Sequence, residues 1–404
     1  MLLLVPGAAR ADVYEEFGFG ARAQGMGGAM TALASDGFAT YYNPGGLILS
    51  RHINLSTGFS FADYALTFDS QSGGNLDRQA ERIPDLSAWS LAVSSTIALD
   101  IPDRLAFGIS LFLPTKNIVD IRAKAPSEEP EWFRYGERHD RVNINAALAV
   151  KITDWLYVGA GGTMFVDGKG SVVLSAGLNT PTVTEYELKL EPDFGAVVGV
   201  YLAPADWLSF GVTYRSEISF KLDFPALAEV QGIQLPLRLE SISFFTPHQV
   251  QLGVAVNPTD WLLLSVDFLW SNWSAYEDPH LVVTSNTVAV PNRIRERFND
   301  VFSPRLGVEV AATDWLFLRG GYYYRNAIID SQDGLTNLVD SAKHVLTLGV
   351  GLAFGKPGEQ PSDEAQDAGV DAKTIQEALV DASFDIDIFF QAHLHQTHGR
   401  VRLV

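Results

Sequence analysis

Apolar and polar positions alternate strictly along this chain, in one phase set by a recurring turn. The phrase Thr153-Asp154-Trp155-Leu156 returns as Ala205-Asp206-Trp207-Leu208, Thr259-Asp260-Trp261-Leu262 and Thr313-Asp314-Trp315-Leu316. After Asp206, Leu208, Phe210, Val212 and Tyr214 alternate with Ser209, Gly211, Thr213 and Arg215. After Asp260, Leu262, Leu264, Val266, Phe268 and Trp270 alternate with Leu263, Ser265, Asp267 and Leu269. Upstream of the phrases the same rhythm runs through Val250, Leu252, Val254 and Val256, and through Leu306, Val308 and Val310. Period two sustained over about ten residues is the signature of a strand with one apolar face. Each phrase therefore reads as a tight turn between a descending and an ascending strand.

A repeat of this length also suits propeller blades, but two long strands fill each unit here, not four short ones. A large soluble β-sandwich would need polar outward faces on both sheets. Short turns at one end, longer polar connections at the other, and one apolar face per strand predict a transmembrane antiparallel β-barrel. The four turn tryptophans then form an interfacial girdle. Strands are expected at 53–69, 86–99, 104–121, 139–152, 155–172, 186–202, 207–223, 236–256, 261–276, 298–311, 315–329, 343–354 and 383–397. Single-chain bacterial barrels close on an even number, so about 14 strands are expected, the last of them short or missing.

Composition removes other classes. Charged residues are 19% of the 404, and 48 acidic against 29 basic side chains give a net charge of −19. That balance excludes a nucleic-acid partner, which needs cations to neutralise phosphates. Cysteine is absent, which excludes disulfides and thiolate metal sites. No stretch reaches the ~20 apolar residues of a membrane-spanning helix. No Gly-x-Ser-x-Gly, His-Glu-x-x-His or P-loop pattern is present, so no enzyme, cofactor or metal is expected. His393, His395 and His398 are read as girdle or solvent positions, not as metal ligands. Residues 1–11, ending Ala9-Arg10-Ala11, read as the remnant of a signal peptide. Residues 355–382 are acidic and rich in Pro and Gly, and read as a disordered insert.

Residues 12–52 break the strand rhythm. Gly18-Phe19-Gly20-Ala21-Arg22-Ala23-Gln24-Gly25-Met26-Gly27-Gly28-Ala29 is followed by Tyr41-Tyr42-Asn43-Pro44-Gly45-Gly46-Leu47. Such glycine-rich, small-residue stretches need burial, and a barrel lumen supplies it; the barrel itself is assigned to 53–404. The Gly20–Ala29 run and the Asn43-Pro44 pair resemble the hatch of the FadL/TodX family of outer-membrane transporters for hydrophobic compounds. Gly45 stands where that family usually has Ala. The likeness continues in Gly211-Val212-Thr213-Tyr214-Arg215-Ser216, in Trp270 to Trp273, and in Leu318-Arg319-Gly320-Gly321-Tyr322. It implies a monomeric fourteen-strand barrel in the bacterial outer membrane, surrounded by outer-membrane lipid. Its lumen is plugged by a hatch in which Gly25, Met26, Gly27, Asn43 and Pro44 carry the family pattern. It further implies passive uptake of long-chain fatty acids or other hydrophobic molecules, with lateral exit through a kinked third strand.

Pro114, inside that third strand, donates no ladder hydrogen bond and marks a wall kink, unless it lies where the strand passes into its loop. Strand parity sends Phe112, Phe165, Arg215, Glu217, Asp267, Arg319, Tyr323 and Arg325 into the lumen. Phe112, Phe165 and Tyr323 are candidate ligand contacts, and Arg215 and Arg319 are candidates for a carboxylate head group, because a planar guanidinium binds carboxylate through two bonds. The alternative is that the arginines pair with Glu217, Asp267 or Asp36 to hold the plug. Trp132, Phe133 and Tyr135, and the 223–236 segment with Phe224, Leu227, Val230, Ile233 and Leu235, form either a landing groove or mutually packed loops. Uptake of aromatic or alkane hydrocarbons, and a PorV-like scaffold for secreted proteins, are the competing functions.

Overall fold

The computed structural model describes residues 13–50, 53–63, 85–97, 104–116, 131–135, 141–176, 181–230, 233–277, 282–285, 297–329, 338–354, 384–397 and 400–403. The segments read as signal remnant (1–11) and insert (355–382), and His398, lie outside them. Three short helices, α1 (Val13–Phe17), α2 (Ala21–Gly25) and α3 (Ala39–Tyr42), precede a 3-10 segment at Pro44–Leu49. The strands follow as β1 (Asn54–Ala62), β2 (Leu86–Ile97), β3 (Leu105–Pro114), β4 (Glu131–Trp132), β5 (Asn143–Thr153), β6 (Leu156–Ala176), β7 (Pro181–Ala205) and β8 (Leu208–Arg215). Next come β9 (Ile218–Val230), β10 (Ile233–Thr246), β11 (Gln249–Thr259), β12 (Leu262–Ser271), β13 (Val282–Thr284) and β14 (Val301–Ala311). The chain ends with β15 (Leu316–Arg325), β16 (Leu338–Val339), β17 (Lys343–Phe354), β18 (Phe384–Thr397) and β19 (Arg400–Leu403).

Thirteen of these strands pair antiparallel in the order β1, β2, β3, β5, β6, β7, β8, β11, β12, β14, β15, β17, β18. β19 pairs with the far end of β18 over four residues. Between β1 and β18 the described residues form no ladder, and the hatch spans that seam. Gln24 reaches Ser60 of β1 (3.4 Å), and Gln391 of β18 donates to the carbonyls of Gln24 (3.2 Å) and Phe17 (3.0 Å). No helix among the described residues is long and apolar enough to cross a membrane.

The turn repeat builds the wall. Trp155, Trp207, Trp261 and Trp315 are 51–55% exposed, the near-constant value expected of rings at one height. Each tryptophan carbonyl accepts from a neighbouring strand, from Ala203, Asn257, Ala311 and Ala353 at 2.8–2.9 Å. Leu148, Val212, Leu252, Val266, Leu306 and Leu348 point outward and are exposed, while Ser90, Asn145, Thr213, Gln251, Ser265 and Thr347 point inward and are buried. This inside-out distribution stabilises a strand only where its outer face meets lipid. Short turns face the periplasm in such barrels, so the arginine ends of β8 and β15 lie toward the cell exterior.

Two predicted strands divide differently. The 207–223 segment stops at Arg215, and β9 begins at Ile218; the 236–256 segment splits at Pro247-His248. β9 and β10 form their own hairpin and leave β8 to pair with β11. The break at Ser216 overturns the parity placement of Glu217. Its N–H donates to His248 Nδ1 (3.2 Å), a ring that stacks on the outward-facing Tyr214.

Candidate lumenal ligand site

The hatch fits the lumen because the wall is glycine where they touch. A methyl group at Gly159 of β6 or Gly199 of β7 would run into Pro44 and Asn43. The Asn43 amide donates to the carbonyls of Thr31 (2.7 Å) and Val200 (2.9 Å), and its oxygen accepts from Gly45 (3.1 Å). One fully buried side chain thereby ties a hatch turn to the wall. On the opposite side Gly27, at φ 64°, lies against the backbone of Leu306 and Tyr322. Few residues other than glycine adopt that conformation without cost. Met26 beside it is fully buried, and the Gly25 carbonyl accepts from Thr347 (2.8 Å).

The two candidate arginines have different surroundings. Arg319 donates to Glu309 (2.6 Å) and to Asp387, and hatch Arg22 binds the same Glu309 (2.8 Å). Asp36 takes no part in those bonds; it accepts from the Phe38 N–H (3.0 Å), and burial pushes its carboxyl up. Arg215, 8% exposed, donates to the Tyr41 carbonyl (2.5 and 3.1 Å) and to the Gln249 side-chain oxygen (3.2 Å), and lies 4.2 Å over the Tyr41 ring. Among the described residues no carboxylate pairs with it. A small, partly open cavity borders Arg215 and is lined by Phe165, Ile218, Tyr41 and Gln249. The buried Gln249 Nε2 has no hydrogen-bond acceptor. A buried cation without a counter-charge and an orphan donor are both costly, and a carboxylate would satisfy both.

Of the remaining candidates, Phe165 joins Arg215 in the cavity and packs at a tilt on Phe244, ring centroids 4.6 Å apart. Phe112 lies elsewhere, packed edge-on to hatch Phe19 at 6.4 Å. Tyr323 donates its hydroxyl to the Glu16 carbonyl (2.6 Å) and carries Arg305 over its ring at 4.9 Å. Pro114 is the last residue of β3, and the β2–β3 ladder runs without a register shift from Ile97–Leu105 to Ala88–Pro114. The proline therefore closes the strand rather than interrupting it.

A second cluster escaped the sequence reading. Glu16 of α1 is fully buried and accepts from Arg134 (3.2 Å), Arg325 and Lys343, while Glu15 accepts from Arg325 (2.5 Å) and Trp273 (3.4 Å). Burial alone would raise the Glu16 carboxyl, but Arg325 and Lys343 overcome it and hold the group well below the ordinary glutamate value. Over this cluster Phe133 packs against Trp273, Tyr276 and Phe298. Trp132, Phe133 and Tyr135 are buried, so these three pack inward and form no exposed landing groove among the described residues. The side chains of 222–235 lie outside the described residues. His393 and His395 point into the lumen, not to a girdle or to solvent. His393 stacks on Phe17, and His395 bonds Tyr135 and Ser341 (both 2.8 Å). No metal-binding group of three His, Cys, Asp or Glu residues is found among the described residues.

Residues 9–359 match the family described as outer membrane protein transport protein (OMPP1/FadL/TodX). The chain belongs to this family. Alkane uptake protein A of Marinobacter nauticus is 23% identical over 84% of this chain and 78% of its own length. Among solved structures, a Pseudomonas aeruginosa FadL homologue superposes with a TM-score of 0.53 at 15% identity, covering 94% of this chain and 90% of that one. The Ralstonia pickettii toluene transporter TbuX gives 0.53 at 18% identity, over 85% and 92%. The fold is that of the FadL/TodX barrels. The family places the chain in the outer membrane of Gram-negative bacteria as a transporter of hydrophobic compounds, not an enzyme.

Proposed function

We propose that this transporter takes up hydrophobic molecules carrying a carboxylate, long-chain fatty acids first among them, and that the head group docks at Arg215. The observation that supports this reading is the lumenal arginine bound only to neutral oxygens beside the orphan Gln249 donor. The cavity is too small for a long chain while Tyr41 covers Arg215, so uptake requires the α3 segment to shift. Replacing Arg215 with Gln should weaken oleate binding about 10- to 100-fold, the worth of hydrogen bonds to a charged group. Hexadecane binding should stay within about twofold.

Uptake of neutral hydrocarbons is the second reading, favoured by relatives whose names specify alkane and toluene. Under it, oleate and hexadecane respond alike to Arg215→Gln. The exit route is a separate part of the proposal. If ligand leaves sideways beside Pro114, the rim between β3 and β5 must part there, since Thr115 already donates to Ser87 of β2 and the backbone of residue 114 faces the β5 side. Pro114→Val, which restores a ladder donor, should then slow oleate uptake into cells severalfold without changing binding; an unchanged rate removes that exit.

A further inference from the structure

Glu16 sits in this barrel as a bound anion would. Three cations from three separate segments converge on its carboxylate: Arg134 from the loop after β4, Arg325 at the end of β15, and Lys343 at the start of β17. All four side chains are at most 3% exposed. The cage has donors to spare, since Arg134 Nη2 and Arg325 Nε are buried without an acceptor. From Glu16 the chain continues through Phe17, stacked on His393 at 5.2 Å, and Phe19, packed on Phe38 at 4.6 Å. The hatch thus presents an acidic head followed by an apolar body, the pattern of an anionic amphiphile. Arg134 adjoins Phe133 in the aromatic cap, so the same carboxylate ties cap to hatch.

We propose that the Arg134–Arg325–Lys343 cage is a second carboxylate-binding site whose resident, Glu16, exchanges with the head group of an incoming anionic amphiphile. The exchange keeps the cage neutralised, so no cation is left bare in the interior. It releases Arg134 from the hatch and leaves Glu15, through Arg325 and Trp273, as the remaining carboxylate anchor of α1, before the ligand moves to Arg215. The inference rests on the reading that the ligand carries a carboxylate.

The test uses the full chain in lipid nanodiscs with oleate and its uncharged methyl ester as probes. Glu16→Gln keeps the shape of the resident group but weakens its hold. Oleate should then bind about tenfold more tightly, because less free energy is spent displacing the internal competitor. Methyl oleate should change by less than about twofold. In the wild-type protein, hydrogen exchange at residues 13–17 should lose protection on adding oleate and keep it with the ester. Unchanged oleate affinity in Glu16→Gln, an equal gain for both probes, or undiminished protection with oleate each overturn the exchange. If oleate binding still depends on Arg215 in that case, the uptake reading stands alone. If neither wild type nor Glu16→Gln binds oleate, both fail.

Discussion

Two sides of the same lumen handle buried arginine in opposite ways. Along β15, β17 and β18 the cations are matched by acids: Arg22 and Arg319 by Glu309 and Asp387 low in the barrel, and Arg325 and Lys343 by Glu15 and Glu16 near its outer end. Arg305 of β14 lies over the Tyr323 ring without a carboxylate partner among the described residues. Across the lumen, along β6, β8 and β11, Arg215 rests on a backbone carbonyl and an amide oxygen. Burying a charge is tolerated where it is paired, so the first side is a lock that fixes the hatch. The second retains unsatisfied electrostatic demand, and that demand marks a place for a ligand. An arginine facing the lumen is therefore not informative by itself; the charge of its partner separates anchor from site.

Breaking the lock should have the largest effect. Arg325→Met leaves two buried glutamates short of their main partner, a change that costs about 3–5 kcal/mol. It should appear as lost hydrogen-exchange protection at 13–17 while the strand amides of β14 and β15 stay protected. Arg319→Gln removes the lower anchor, where Glu309 keeps Arg22, and should cost about 1–3 kcal/mol of hatch stability in a urea titration. Its oleate affinity should remain near that of wild type.

The smallest effect is one of pH. The Glu16 carboxyl titrates below its ordinary value of 4.5, so the clamp is fully present above 4.5 and is lost only as pH falls through the lowered value. The part of the tryptophan emission removed by Trp273→Phe should therefore carry a Glu16 step only below pH 4.5. That step is separate from any earlier one of Asp340, whose carboxyl, beside Arg134, is pushed up to about 7 by burial. The absence of any step below pH 4.5 would mean that Glu16 is not held as a charged group.

Much of the wall was legible because its physics is local. An Asp-Trp-Leu turn starts each apolar face, and parity then carries inward or outward direction along the strand, as the exposed Val212 and buried Thr213 show. Parity failed at Glu217, where Ser216 interrupts the strand, and nothing in the residue pattern announces that break. The hatch was readable from its glycines, since Gly27 and Gly159 mark where backbones meet. The partners of the arginines were not readable. Asp387 lies 68 residues from Arg319, and Glu16 lies 309 from Arg325. Only the folded barrel brings such pairs together, and α1 is too short to declare its acidic face.

The most direct test of the anchor-and-site distinction is oleate affinity measured side by side in Arg215→Gln and Arg319→Gln, with hexadecane as the uncharged control. The account predicts a loss of about 10- to 100-fold for Arg215→Gln, little change for Arg319→Gln, and hexadecane binding unaffected in both. Equal losses in the two variants, or a larger one at Arg319, would contradict it.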